Sequence, residues 1–508
     1  MLLRYTASAD NTIVNAYQPN LVLRGTGSNA GRADIVEVFS IYGRQTPPVA
    51  TTSGSQELSR YLIQFPMTAI AADRTAKTIP VAGNVNFYLK MFNAPSSKTV
   101  PDEYALKIHR VTEEWQEGIG LDLEGYKDLV KGKTGSDWIQ SKKGSEWSTV
   151  GASYSTAAGD SFEQTFNTGL ENLEVDITSL VEKWLDTTDN YGMVVKLAPA
   201  YEAFFSSSNG LNSGSLIHNP EGALTSYYTK RFFARGTQYF FKRPVIEARW
   251  NDIISDDRSR FNYSSSRAPA ADNLNTVYFY NKIRGRLVDL PDVGTQNILL
   301  SLYSGSSDNS VPSGSALTAY DGNTNLTGSW VSTGIYKCDV AITAAATPIT
   351  TLYDVWHSGG VQYYTGNISP KTLSTGETSE INKYFINISN LKEYYSTNET
   401  PRFNVYSRAK DWQPTIYTVA NNTPEVLPIL SASYRAYRLI DGYQVIPYGT
   451  GSDLHTGLSY DAKGNYFTMD MNAFQPGYAY ALKFAVYDDI RKSWEEQDET
   501  FKFKVVEF

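Results

Sequence analysis

Thr112-Glu113-Glu114-Trp115-Gln116-Glu117 is a carboxylate-rich stretch. Paired carboxylates can act as the acid and base of a glycoside hydrolase when they face each other across a cleft. Nothing in this spacing sets two of them opposite each other, so the plainer reading is a strand end running into a solvated loop. Ser, His and Asp all occur, and composition alone leaves a hydrolytic triad open. The nucleophile elbow Gly-x-Ser-x-Gly needs a strand, a turn and a helix in succession. Gly25-Thr26-Gly27-Ser28 and residues 210–215 read instead as loops with no helix after them. Residues 25–31 also look superficially like a phosphate loop. A Walker loop, however, closes on Gly-Lys-Ser or Gly-Lys-Thr and enters a helix, whereas Arg32-Ala33-Asp34 leads into an alternating stretch.

The metal-ligating residues are sparse. His109, His218, His357 and His455 are far apart and form no His-x-x-x-His pair. The single cysteine, Cys338, excludes a disulfide scaffold and a zinc site built on thiolates. With no paired histidine near it in sequence, Cys338 reads as a small strand residue and not as a nucleophile. His109 follows Leu106 and Ile108, and alternation sets it on the opposite face from them, outward or beneath a covering element. Asp441-Gly442, Asp453 and Asp461 sit in turn-like segments. A structural calcium ion is the one cofactor such oxygen ligands would suit. No loop matches the twelve-residue calcium pattern, and Asp in a turn ordinarily bonds its own backbone, so the expectation is no cofactor.

Aromatic and basic residues are interleaved near residue 230. Tyr227-Tyr228, Phe232-Phe233 and Tyr239-Phe240-Phe241 surround Lys230, Arg231, Arg235, Lys242 and Arg243. Adjacent residues of a strand point to opposite faces, so some of these rings must leave the core. The same holds for Tyr363-Tyr364 and Tyr394-Tyr395. Exposed rings could stack on sugars. Tyr and Arg are also favoured anchors of protein interfaces, and this is the preferred reading. The interface candidates are Tyr227, Tyr228, Arg231, Arg235 and Tyr239; no catalytic, cofactor-binding or metal-ligating residue is assigned.

The elements that position these groups are strands. Val85, Phe87, Leu89 and Met91 fall on one face, as do Tyr61, Ile63 and Phe65, and period-two alternation marks a strand with a buried face. Further strands are predicted over 35–39, 104–111, 193–197, 245–250, 277–280, 298–303, 336–342, 403–406, 434–439, 479–487 and 501–506. Residues 460–466 read as a hairpin. One short helix is predicted over 177–185, where Leu180, Val181, Trp184 and Leu185 share a face and Asp176 or Thr178 caps the start. Many strands and one helix predict an all-β chain of sandwiches.

The 508 residues carry a net charge of −8, with 19% charged residues. That suits neither a disordered chain nor a nucleic-acid binder. No run of 18 apolar residues predicts a membrane span, and the polar N-terminus gives no sign of a secretory leader. Ser- and Asp-rich residues 251–271 read as a linker, as do residues 369–380. Three domains are expected at 1–252, 253–378 and 379–508.

The first segment has an ordered series of landmarks. They include Ser8-Ala9-Asp10-Asn11-Thr12-Ile13, Gly27-Ser28-Asn29-Ala30-Gly31, Arg60-Tyr61-Leu62-Ile63-Gln64-Phe65 and Arg110-Val111-Thr112-Glu113-Glu114-Trp115. Leu173-Glu174-Val175-Asp176-Ile177-Thr178, Asn190-Tyr191-Gly192-Met193 and Arg243-Pro244-Val245-Ile246-Glu247-Ala248-Arg249-Trp250 follow. The series resembles the DNRLRE-type domains, jelly rolls similar to carbohydrate-binding modules. The hexapeptide that names them is absent, and residues 118–146 look like an insertion of mixed charge. Arg402-Phe403-Asn404-Val405-Tyr406-Ser407-Arg408-Ala409-Lys410-Asp411-Trp412 and Leu458-Ser459-Tyr460-Asp461-Ala462-Lys463-Gly464-Asn465-Tyr466-Phe467 are similar to stretches of virion structural proteins of large marine tailed phages.

These resemblances imply an N-terminal jelly-roll sandwich with one short helix, followed by two smaller immunoglobulin-like β-sandwiches. They imply a non-enzymatic virion component of the neck, tail or capsid surface, assembled in the host cytoplasm. Its partners would be other virion proteins and further copies of itself in a ring or multimer, with no nucleic acid and no membrane. The alternative is a carbohydrate-binding adhesin or cell-surface module, which would touch host glycans.

Overall fold

The computed structural model describes residues 1–16, 25–43, 55–96, 99–121, 134–186, 188–202, 226–304, 314–343, 349–372, 384–410, 413, 416, 426–449, 453–488 and 491–507. It bears out the all-β sandwich architecture. The chain forms two compact units, Leu2–Trp250 and Asn251–Phe508, with Met1 grouped with the second.

Two large sheets and a two-stranded one, Gln140–Lys142 with Ser145–Glu146, are described in the unit Leu2–Trp250. A four-stranded sheet runs in the order Leu2–Thr6, Val245–Arg249, Asn86–Met91, Leu173–Asp176. An eight-stranded sheet runs Ser161–Phe166, Tyr104–Val111, Met193–Leu197, Ser55–Gln64, Ile35–Gly43, Tyr227–Phe233. In it Ala9–Asn15 and Tyr154–Ser155 pair off the main path. The alternation read from Asn86–Met91 is realised, with Phe87, Leu89 and Met91 buried.

The eight-stranded sheet is covered on a second face too. Ile13, Leu62 and Val194 pack there with Trp115, Trp138 and Trp147. Trp138 lies in the stretch expected to be a mixed-charge insertion, yet it is fully buried. Residues 122–133 of that stretch lie outside the described residues. An indole buries about 150–250 Å², so three of them seal a face that would otherwise present bare apolar side chains to water.

The predicted helix spans Thr178–Asp186. Asp176 Oδ1 accepts from the Thr178 amide at 2.9 Å, and Thr178 Oγ1 in turn accepts from the Phe87 amide at 2.8 Å. Leu180, Val181 and Trp184 are its buried face. The expectation of one helix is corrected: a second spans Met67–Thr75. Arg74 of this helix pairs with Glu182 of the other at 2.7 Å. Its entry at Pro66 suits a helix start, because proline lacks the amide that a first turn leaves unpaired.

In Asn251–Phe508 one six-stranded sheet runs Asn275–Tyr280, Ile335–Val340, Leu326–Ser332, Ile298–Ser304, Leu352–Ser358, Val361–Ile368. Phe279 of the first strand stacks on Tyr364 of the last, with ring centroids 5.5 Å apart, so the sheet folds over its own core. A four-stranded sheet (Tyr384–Ile388, Arg402–Ala409, Gly464–Thr468, Ser459–Asp461) and a six-stranded sheet enclose a further core. The second of these runs Tyr394–Ser396, Phe501–Val506, Ala479–Asp488, Ala432–Arg438, Gln444–Ile446, with Ser493–Glu496 alongside Ala479–Asp488. Phe403, Phe467, Tyr434 and Phe484 stack through that core.

Residues 251–271, expected to be a linker, are packed instead. Phe261 and Tyr263 enter the core of the first sheet. The Asp256 amide donates to Tyr460 O at 3.0 Å, and the Tyr460 amide donates to Ile254 O at 2.8 Å. Polar composition hid this, because two rings in a Ser- and Asp-rich stretch are enough to anchor it. Of the other expected linker, residues 373–380 lie outside the described residues.

Candidate functional site

The interleaved aromatic and basic segment becomes the strand Tyr227–Phe233, at the end of the eight-stranded sheet. It pairs along its whole length with Ile35–Gly43. On its other side Phe92–Ala94 bridges Arg231–Phe233. Among the described residues no strand pairs with Tyr227–Lys230 there. Alternation divides the basic residues and rings. Tyr227 is 63% exposed and stacks on half-buried Tyr228 at 5.0 Å, while Phe232 is buried. Tyr239, also exposed, meets Phe233 edge-on at 5.6 Å. The same division separates exposed Tyr364 from Tyr363, which packs on the core, and exposed Tyr394 from buried Tyr395.

The basic residues have three different fates. Lys230 is buried, and its Nζ donates to Asn93 Oδ1, Gly169 O and Glu171 O at 2.7–2.8 Å. Burial pushes its ammonium down to about 8, against the pull of Glu171. Arg235 is engaged within the unit: its Nη2 donates to both Glu117 oxygens at 2.7 and 2.9 Å, and its amide donates to Asp10 Oδ2 at 2.7 Å. Asp10 also accepts from the Tyr61 hydroxyl at 2.9 Å. Burial raises its carboxyl to about 6. Arg231 is partly buried, and its Nε has no hydrogen-bond partner among the described residues. Of the five interface candidates, Tyr227 and Tyr239 are therefore the exposed ones, while Tyr228 and Arg231 are partly buried and Arg235 is tied to Glu117.

The remaining candidates are placed as follows. Glu113 accepts from the Ser148 amide, Glu114 pairs with Lys142, and Glu117 holds Arg235. Residues 25–31 form a turn in which the Ser28 amide donates to Gly25 O. A Cβ on Gly31 would come within 2.3 Å of Gly118 O, so backbone packing requires the glycine. His109 lies beneath Tyr154 with ring centroids 4.7 Å apart. Burial, followed by Lys196, Lys107 and Arg60, pushes it down to about 3, which keeps it neutral. The buried Cys338 thiol is pushed up to about 12 by burial. Asp441 and Asp461 accept from the amides of Tyr443 and Lys463, the self-bonded turn geometry. Among the described residues no three His, Cys, Asp or Glu side chains are grouped to hold a metal. Residues 210–215, His218 and Asp411-Trp412 lie outside the described residues.

Sequence reasoning missed one Ser–His contact, Ser301 Oγ to His357 Nε2 at 2.8 Å. Ser301 also donates to Asn325 Oδ1 at 2.6 Å, which leaves its oxygen to accept from the imidazole. In that arrangement Nε2 carries the proton and cannot act as a base. Ser301 is also only 1% exposed.

Sequence reasoning also missed a cleft of about 730 Å³ in Asn251–Phe508. One wall is Tyr278, Tyr280, Lys282 and Tyr364; the other is Ser389, Arg402, Asn404 and residues 461–465. The Arg402 guanidinium lies 3.4 Å from the centre of the Tyr466 ring. Its Nε donates to Asn404 Oδ1 at 3.2 Å and its Nη2 to Asp461 Oδ2 at 3.1 Å. Arg258 is tied to buried Asp354, with Nη2 at 2.6 Å from Oδ2. Buried Asp256 also lines the cleft, and burial pushes its carboxyl up to about 6. Lys282, Tyr364, Asn404 and Lys463 are exposed.

No helix among the described residues is long and apolar enough to cross a membrane. No family model matches the chain, and no curated protein matches it. Among solved structures, an Escherichia coli alpha-2-macroglobulin overlaps 80% of this chain and 29% of its own length, at 11% identity and a TM-score of 0.15. A Salmonella alpha-2-macroglobulin overlaps 99% of this chain and 34% of its own, at 10% identity and a TM-score of 0.15. The chain thus spans about a third of those proteins. A DUF4785 family protein of Legionella pneumophila overlaps 99% of this chain and 92% of its own, at 7% identity and a TM-score of 0.13. Overlaps of that quality carry no functional inference.

Proposed function

We propose that the chain is a non-enzymatic structural component of a tailed-phage virion that works through protein–protein contacts. In this reading Leu2–Trp250 is a jelly roll of the DNRLRE type and the later sandwiches are immunoglobulin-like. The observation that carries it is the end strand Tyr227–Phe233, where exposed Tyr227 lies beside backbone, Tyr227–Lys230, that no strand among the described residues pairs on its outer side. An edge of this kind can accept a strand from a neighbour, with the ring as a side-chain anchor. Peptide mass spectrometry on purified particles tests the reading, since the chain should be present at a fixed copy number. Tyr227→Ala should lower its incorporation while leaving the melting temperature unchanged. Absence from particles would sink the proposal.

The second reading is glycan recognition by the same exposed rings, Tyr227 at 63% and Tyr239 at 55% exposure. It expects saturable retention on immobilised polysaccharide, lost in Tyr227→Ala or Tyr239→Ala.

A further inference from the structure

We propose that the cleft in Asn251–Phe508 binds a carboxylated saccharide, with a sugar ring on Tyr364 and its carboxylate held by Lys282 and Lys463. The site lies apart from the Tyr227–Phe233 strand and does not depend on the assembly reading.

Four features favour this ligand class. The volume, about 730 Å³, lies within the range of small-molecule sites. The exposed ring of Tyr364 offers an apolar face of the kind that can lie against the C–H face of a pyranose. Its own back is held by Phe279, so the platform is fixed before any ligand arrives. Neutral hydrogen-bonding groups suited to hydroxyls, Ser389 and Asn404, occupy the opposite wall.

The fourth feature is charge. The Arg258 and Arg402 guanidiniums are committed to Asp354 and Asp461. Lys282 and Lys463 have no ion-pair partner among the described residues; the Lys282 ammonium lies 5.9 Å from the centre of the Tyr280 ring. Two uncommitted ammonium groups at the mouth of a polar cleft call for an anion. Arg402 spends its Nε and Nη2 on Asn404 and Asp461, and its Nη1 has no protein partner among the described residues. That N–H group can add a third charge-assisted bond to a carboxylate. A polyanionic peptide would use the cations but would leave the Tyr364 face idle.

The test is calorimetric titration of the full chain with tetrasaccharides of galacturonate, glucuronate and mannuronate and with a sialylated tetrasaccharide. Maltotetraose, the methyl ester of the best acidic sugar, and tetraglutamate serve as comparisons. At least one acidic sugar should bind saturably. Its methyl ester and maltotetraose should bind at least about tenfold more weakly, the scale of a lost charged hydrogen bond. Lys282→Gln with Lys463→Gln should weaken binding by a similar factor, and so should Tyr364→Ala. These three side chains are exposed, so unchanged melting curves will separate lost binding from lost folding. No binding to any of the four acidic sugars overturns the proposal. Tetraglutamate binding as tightly as the best sugar also overturns it, and assigns the cleft to acidic peptide.

Discussion

Lys230 gives the most direct quantitative test of how the end strand is held. Lys230→Met keeps most of the side-chain volume between the Phe166 and Phe232 rings, which lie 4.8 and 5.2 Å from the ammonium. It removes the donors to Asn93 Oδ1, Gly169 O and Glu171 O. A buried acceptor left unpaired costs about 1–3 kcal/mol, so three cost roughly 3–9 kcal/mol. The mutation also relieves the burden of an ammonium held near 8 instead of 10.5. That burden is about 2 kcal/mol once nearby water is allowed for. The net loss is about 1–7 kcal/mol, and a unit of this size loses roughly 2–4 °C for each. The wild type should also show a pH signature. Between about pH 8 and 10.5 the unfolded chain holds a proton that the folded chain has released. Stability therefore rises with pH across that window, and the rise should be absent in the variant. Calorimetric melts of the full chain from pH 7 to 10.5 measure both. A variant that melts with the wild type, or keeps its alkaline slope, would refute the reasoning.

Other expectations follow from the same geometry. Buried Glu247 serves Arg4, Lys90 and Arg249. Although burial works against it, these cations hold its carboxyl well below the usual range. Glu247→Gln removes the buried charge at the centre of this cluster and leaves Glu174 as the acid beside Lys90 and Arg249, and urea titration should show a loss of about 3–5 kcal/mol. Arg235→Glu would set an acid against Glu117 and Asp10 and should lower the melting temperature by several degrees, whereas Arg231→Glu, which faces only Glu37 across the strand pair, should lower it less. Protonation of Asp256, which faces Arg258, Asp461 and Asp354, removes a negative charge from the cleft. Acidic-sugar affinity should therefore rise as pH falls through about 6, and Asp256→Asn should flatten that dependence in calorimetry.

The strands were legible because each carries its own signal. Met193–Leu197 and Phe501–Val506 occur where alternation and aromatic or β-branched content predict them. The Thr178–Asp186 helix was legible by its apolar stripe. The Met67–Thr75 helix was not, because it buries only Met67 and Ile70 and has no stripe to read. At Lys230 local pattern misleads. Alternation shows that 228, 230 and 232 share a face, but a lysine there reads as exposed unless its three acceptors are known. Two of those come from a loop about 60 residues away. The cleft was illegible for the same reason on a larger scale. Its walls join residues from 256 to 465, and no local window contains both the Tyr364 ring and the lysines that flank it.

The first and last strands of Leu2–Trp250 lie side by side, with Leu2 opposite Arg249 and Thr6 opposite Val245. Cross-strand partners sit only about 5 Å apart, so this unit begins and ends at nearly the same point in space. Such a unit can be spliced into a surface loop of another protein without stretching its host. Joining residues 2 and 249 by a short turn and opening the chain elsewhere should likewise yield a circular permutant with the same sheets. The closing pair is also the most distant contact in the unit along the chain. Its four-stranded sheet therefore cannot be completed until nearly all of its 249 residues are available, the topology of a slow folder.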